Sequence, residues 1–201
     1  MHSGRQLLSC LVMLLLAGCA ALEPQLPTSA GWQAHSQQLA LLQQWTANGK
    51  LAVRSADAAE SASLEWRQHD QDTHLQLSGP LGVGATTIYS DGQQLDIHQG
   101  NEHRTLDIST PDAVVLNTGW DLPLLALTYW LKGMPSPHAK VQKLELDPQT
   151  ELLQILQQDD WEVHYEQYGQ FEQFTLPTRL RIQRGATRAR IIISHWQTSP
   201  G

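Results

Sequence analysis

The sequence predicts a mainly β protein of about eleven antiparallel strands, preceded by one helix and interrupted once by a helical insertion. Three observations carry this. Apolar residues recur with a period of two from Leu51 to Ile97 and again from Val141 to Trp196, as a half-buried strand requires. Short turn-forming pairs separate the runs: Asp91-Gly92, Gly100-Asn101 and Gly185-Ala186. The alternation lapses only across "STPDAVVLNTGWDLPLLALTYWLKGMPSP", residues 109–137. A sheet of this length, apolar on one face, must curl and have that face covered, and the insertion is the available cover. The expected architecture is a barrel with a lid over an apolar cavity.

The N-terminus comes first. "MHSGRQLLSCLVMLLLAGCA" has a short polar start, an apolar run from Leu11 to Ala17 too short to span a bilayer, and small residues after it, which is the pattern of an export signal. The only cysteines are Cys10, inside that run, and Cys19, directly after "LAG", so the exported chain can form no internal disulfide. Leu16, Ala17, Gly18 and Cys19 resemble the bacterial lipobox, in which the cysteine is acylated and becomes the new N-terminus. Residues 1–18 are then the signal peptide and 19–31, "CAALEPQLPTSAG", a lipidated flexible tether. By the same resemblance, Ala20 lacks the Asp that retains lipoproteins in the inner membrane. Removing the signal takes away Arg5 and no acid, leaving 12 basic against 20 acidic residues and a net charge of −8. So acidic a chain argues against nucleic acid as a partner and excludes polybasic attraction to membranes.

Residues 32–199 form one expected domain. "WQAHSQQLALLQQW" places Trp32, His35, Leu39, Leu42 and Trp45 at helical spacing. "GKLAVRS", "SLEWRQ", "THLQLS", "TTIYS", "QLDIHQ" and "RTLDIS" follow as an antiparallel meander. Thr110 can cap and Pro111 open a short helix ending before Gly119. A second helix, from about Pro123 to Lys132, is apolar most of the way round and is stopped by Gly133 and the prolines at 135 and 137. Strands resume with "VQKLELD", "LLQILQQ", "WEVHYEQY", "TRLRIQR" and "RARIIISHW".

A search for chemistry finds little. Neither H-E-x-x-H nor C-x-x-C nor a G-x-S-x-G elbow occurs. His98 can face His103 across a hairpin, and His69 can face His74; both pairs read as surface strand residues rather than ligands. Glu145 with Asp147, and Asp159 with Asp160, read as solvated carboxylates. No catalytic residue, cofactor or metal is expected. Five arginines, 179, 181, 184, 188 and 190, surround the last hairpin, with Arg181 and Arg190 nearly opposite. They are either the polar face of a strand pair or a docking stripe for an acidic partner.

The loop "SGPLGVGA" raises a separate question, because Leu81 and Val83 are bare aliphatics among turn formers. They either fold back onto the core or stand at the tip as a wedge for a membrane surface.

Taken in order, the lipobox, "WQAHSQQLALLQQW" with "GKLAVRS", "GPLG", "YWLKGMPSP", "WEVHYEQY" and "LPTRLRIQ" to "IIISHW" resemble the outer-membrane lipoprotein receptor family LolB. The resemblance implies an unclosed antiparallel half-barrel with a helical lid. It implies a function in accepting triacylated lipoproteins from the periplasmic carrier LolA and placing them in outer-membrane phospholipid. The protein itself would be a lipid-anchored monomer on the outer membrane's inner leaflet, facing the periplasm. It further implies that Leu81 projects outward for the insertion step, and Val83 just beyond it departs from the family pattern and would share the role. The acyl chains are expected on the apolar face made by Leu51, Val53, Leu64, Trp66, Leu75, Leu77, Ile88, Leu95, Ile97 and Val163, under Leu125 and Trp130. A structural or adaptor lipoprotein would share the anchor and the sheet but have a filled core.

Overall fold

The structure, a computed structural model, describes residues 29–56, 59–79, 84–108 and 122–198. Helix α1 (Ala30–Ala40) is opened by Ser29, whose hydroxyl accepts from the Trp32 amide at 3.1 Å. It buries Trp32 and Leu39. The helix is shorter than expected: the chain turns at Leu41–Gln43, and Trp45 is the first inward residue of a strand. Spacing does not separate the two cases at Trp45, because a helical stripe and a strand's inner face both call for an apolar residue there.

Eleven strands follow. They are β1 (Gln44–Arg54), β2 (Ala59–His69), β3 (Asp72–Ser78), β4 (Thr86–Ser90), β5 (Gln94–Gln99) and β6 (Glu102–Asp107), then helix α2 (Leu124–Trp130). After α2 come β7 (Val141–Leu146), β8 (Leu153–Gln158), β9 (Trp161–Phe171), β10 (Phe174–Arg184) and β11 (Thr187–Gln197). All belong to one sheet in the order β6-β5-β4-β3-β2-β1-β11-β10-β9-β8-β7. Both wings are meanders, and among the described strands the one pairing distant in sequence, β1 with β11, joins them at the centre. Because β6 and β7 are both edges, the sheet is an unclosed half-barrel.

Alternation sets the faces: along β1, Leu51 and Val53 are buried while Lys50, Ala52 and Arg54 are exposed. The inward residues of every strand but β6 and β7 supply the buried core, with partly buried Leu106, Val141, Leu144 and Leu146 packed on it from those edges. One irregularity bends the central pair. The register of β1 on β11 shifts between Asn48 and Gly49, where a Cβ on Gly49 would lie 2.0 Å from the Ile192 carbonyl oxygen. Only glycine admits that approach.

The antiparallel order also sorts the connections. One rim carries the β2–β3, β4–β5, β7–β8 and β9–β10 turns; the opposite rim carries the β1–β2, β5–β6, β8–β9 and β10–β11 connections, and β3 ends there at Ser78.

Candidate functional site

Helix α2 lies across the concave face. At seven residues, with no side-chain cap at Pro123 and no charges complementing its ends, it is too short to persist alone in water. Packing holds it: Leu124, Ala126, Leu127 and Trp130 are buried.

Under its first turn is a small apolar cavity of about 60 Å³. From the sheet, Leu51, Leu64, Trp66, Leu75, Leu77 and Ile88 line it, joined by Ile191; Thr86 and Gln99 are its polar members. From the lid side, Leu122, Leu124 and Leu127 close it. Leu125 and Trp130, expected over the acyl-binding face, do not line this cavity. Leu125 is half-buried and faces, with Trp130, a second and wetter groove of about 540 Å³ at the mouth, beside Tyr129, Trp161, Asp159 and Asp160. On a helix apolar nearly all round, spacing alone does not say which side faces down. Val53, Leu95, Ile97 and Val163 are buried in the same core but do not line the cavity.

Polar groups fix the far end of the lid. The Trp130 indole donates to Gln158 Oε1 at 2.8 Å, and the Ser136 amide donates to the same oxygen at 2.8 Å. Gln158 Nε2 donates in turn to the Ser136 and Ala139 carbonyls, both at 2.8 Å. This fully buried amide thus uses all its hydrogen-bonding capacity on the segment that follows α2. Just past the helix, Lys132 is buried and donates from Nζ to the Leu42 carbonyl at 3.1 Å, beside the Tyr129 ring. Burial pushes its pKa from 10.5 down to about 8. Neither residue was singled out by the sequence: a Gln in "LLQILQQ" reads as the polar face of a strand, and a Lys at a helix end reads as exposed.

On β1, Trp45 packs on Trp66 and Trp196 with ring centroids 6.0 and 5.2 Å away. Trp66 and Trp196 donate to Gln68 Oε1 and the Pro177 carbonyl, whereas among the described residues the Trp45 indole has no partner. Nor does the buried Tyr165 hydroxyl, whose ionisation burial and neighbouring Tyr168 push well above 10.

The other candidate residues sit outside this site. His98 and His103 pair directly on β5 and β6 with stacked rings 4.2 Å apart, and His103 reaches Asp96 at 3.3 Å. His69 and His74 do not face each other: the two-residue turn at Asp70–Gln71 puts His69 opposite Asp72, and His74 opposite Arg67. Among the described residues, no three His, Cys, Asp or Glu side chains gather as a metal site. A further groove, about 630 Å³, opens at the β2–β3 rim among Arg67, His69, Asp72, His74 and Asp96, too polar a lining for an alkyl chain. Arg181 and Arg190 are directly opposed on β10 and β11, and both reach Glu166, at 2.5 and 3.2 Å. Cys19, Leu81, Val83 and the helix expected from Thr110 lie outside the described residues.

The described residues offer an apolar surface beneath a short, uncapped helix. A family model described as outer membrane lipoprotein LolB matches residues 43–196. A relative from Alkalilimnicola ehrlichii named outer-membrane lipoprotein LolB is 36% identical over 203 residues, covering 100% of both chains. One of the same name from Stutzerimonas stutzeri is 33% identical over 96% of this chain and 95% of its own. Among solved structures, a LolA superfamily protein from Nitrosomonas europaea superposes with a TM-score of 0.55 at 7% identity, covering 88% of this chain and 96% of that one. A DUF1329 family protein from Desulfovibrio piger gives 0.58 at 12% identity, covering 88% and 95%. Both show the fold alone.

Proposed function

The chain belongs to the LolB family of outer-membrane lipoproteins, and from that membership we propose that it receives acylated lipoproteins from the periplasmic carrier LolA and inserts them into the outer membrane. It does so as a lipid-anchored monomer, held through Cys19 and a tether to residue 31, facing the periplasm. The observation that carries this reading is an uncapped seven-residue lid over a concave face built almost wholly of aliphatic residues and Trp.

The cavity's size bears on how transfer would proceed. A triacylated cargo brings on the order of 45 methylenes at about 0.8 kcal/mol each, roughly 35 kcal/mol of apolar burial that water cannot shield. The closed cavity of about 60 Å³ has room for about two water-sized volumes. Cargo therefore enters only as α2 lifts, and each acyl group replaces a lid contact by a chain contact of the same kind. Such exchange is nearly balanced, so a small gain in affinity at each step is enough to set the direction, from carrier to receptor to bilayer. Leu81 and Val83, on the β3–β4 connection, are the membrane-contacting residues in this reading.

The small closed cavity equally favours the adaptor reading, in which the core stays filled. A photocrosslinker at Leu64, in the cavity wall, separates the two. Crosslinks to a lipoprotein handed over by the carrier support the receptor, and Leu64→Glu should abolish uptake because it puts a carboxylate among alkyl chains. Normal uptake by that variant, or no crosslink at all, leaves the adaptor.

A further inference from the structure

The chain's net charge of −7 conceals a local reversal. The adjacent central strands β1, β11 and β10 carry seven of the 13 Lys and Arg residues and none of the 20 Asp and Glu residues. Six of the seven point to the convex face, where pairing sets them in a grid. Arg54 lies opposite Arg188, Ala52 opposite Arg190 opposite Arg181, and Lys50 opposite Ile192 opposite Arg179. Neighbouring strands are about 4.8 Å apart and alternate residues about 7 Å, so the six cations occupy a patch of roughly 10 by 14 Å.

Like charges placed directly across a strand pair destabilise a sheet. Glu166 compensates Arg181 and Arg190. Arg54, Arg188 and Lys50 are exposed and have no acidic partner among the described residues. A repeated local cost with no gain in folding marks a surface kept for something else. Two guanidiniums a strand apart match the oxygens of a phosphate group. The grid is shallow, and its outward positions hold no aromatic anchor of the kind that dominates protein interfaces. Its place also matters: Ile192, Lys50, Ser63 and Ser78 form one register row. The connection that leaves β3 at Ser78 therefore starts about 10 Å from Lys50, on the rim to which Arg54 and Arg188 belong.

We propose that this stripe docks on anionic phospholipid headgroups, with Arg54 and Arg188 as its phosphate-binding pair. It turns the β3–β4 rim towards the bilayer before cargo is released, and so rests on the receptor reading above. Exclusion of membrane attraction by net charge fails here because headgroups act within a Debye length of about 8 Å, where the nearest side chains outweigh the chain's total.

The test uses the full-length, lipid-anchored chain in vesicles, with a fluorophore on Ala52→Cys, at the centre of the grid, and a nitroxide quencher on the headgroups. Vesicles of phosphatidylethanolamine with phosphatidylglycerol should quench it strongly, less as salt rises. Vesicles with phosphatidylcholine in place of phosphatidylglycerol should not. Arg54→Gln/Arg188→Gln should fall to the neutral-vesicle level, while Arg54→Lys/Arg188→Lys keeps most of the signal and shows that the sheet tolerates change at both sites. Quenching that ignores lipid charge, or survives the Gln pair, overturns the proposal; so does loss of crosslinks to the carrier with lipid contact unchanged, which would make the partner an acidic protein. Cargo acceptance on the same preparations separates the failures. Acceptance intact without lipid dependence overturns the stripe alone, whereas no acceptance by the unsubstituted chain overturns the receptor reading.

Discussion

The two flanks of the lid are held by different chemistry. Towards β1–β4, Leu124 and Leu127 rest on aliphatic side chains around an incompletely filled cavity. Towards β8 and β9, one buried amide makes four hydrogen bonds to the lid segment, and Trp130 packs on Trp161 at 6.2 Å. Apolar contacts are non-directional and can be exchanged for alkyl chains at little cost, while buried hydrogen bonds must be made or forfeited. We therefore expect the lid to hinge on the β8 side and to lift first on the other.

Breaking the hinge should have the largest effect. Gln158→Ala strips partners from the Trp130 indole, the Ser136 amide and carbonyl, all buried, and from the part-buried Ala139 carbonyl. At 1–3 kcal/mol per stranded group, partly relieved by water, a loss of about 4 kcal/mol is expected. For a chain of this size that lowers the thermal midpoint by about 10 °C. A drop no larger than that of an apolar truncation on the other flank would mean the hinge lies elsewhere.

That truncation is Leu127→Ala. Leu to Ala in a core costs 2–5 kcal/mol, and this site belongs at the low end, about 2 kcal/mol, because it borders space already present and a helix that can resettle. Amide exchange should quicken in β2–β4 and not in β8, and bis-ANS should bind more readily. Equal quickening in both wings would show the lid opening as a whole and remove the distinction between flanks.

The sequence made the apolar flank legible and left the hinge unseen, for a physical reason. Leu64, Trp66, Leu75, Leu77 and Ile88 announce themselves by alternation, because each faces one side of a sheet with a single core. Register followed from turn length, which is why Arg181 and Arg190 meet. Gln158 and Lys132 carry no such mark, since a buried polar residue is identified by its partners, and those lie 19 to 28 and 90 residues away. The lid's rotation was likewise illegible: Leu125 and Leu127 are equally apolar, and only tertiary contact separates them.

The smallest effect concerns Lys132, which ties the end of the lid to Leu42 at the start of the sheet. Its ammonium titrates near 10.5 in the unfolded chain and near 8 in the fold. Between those values the unfolded chain holds more protons, so this group makes stability rise with pH from 8 to 10.5; below pH 8 the buried charge costs a constant amount. The full shift corresponds to about 3 kcal/mol, reduced by the Leu42 carbonyl, which favours the charged form. Lys132→Met keeps the volume and removes the charge. It should raise the midpoint at pH 7 by a few degrees, about 1 kcal/mol after the stranded carbonyl is counted, with its advantage shrinking as pH passes 8 and gone near 10.5. A variant less stable at every pH would show that the hydrogen bond outweighs the buried charge. If instead it is more stable and accepts cargo more slowly, the charge is what keeps the lid from seating too firmly, and the unclamped flank owes its freedom partly to Lys132.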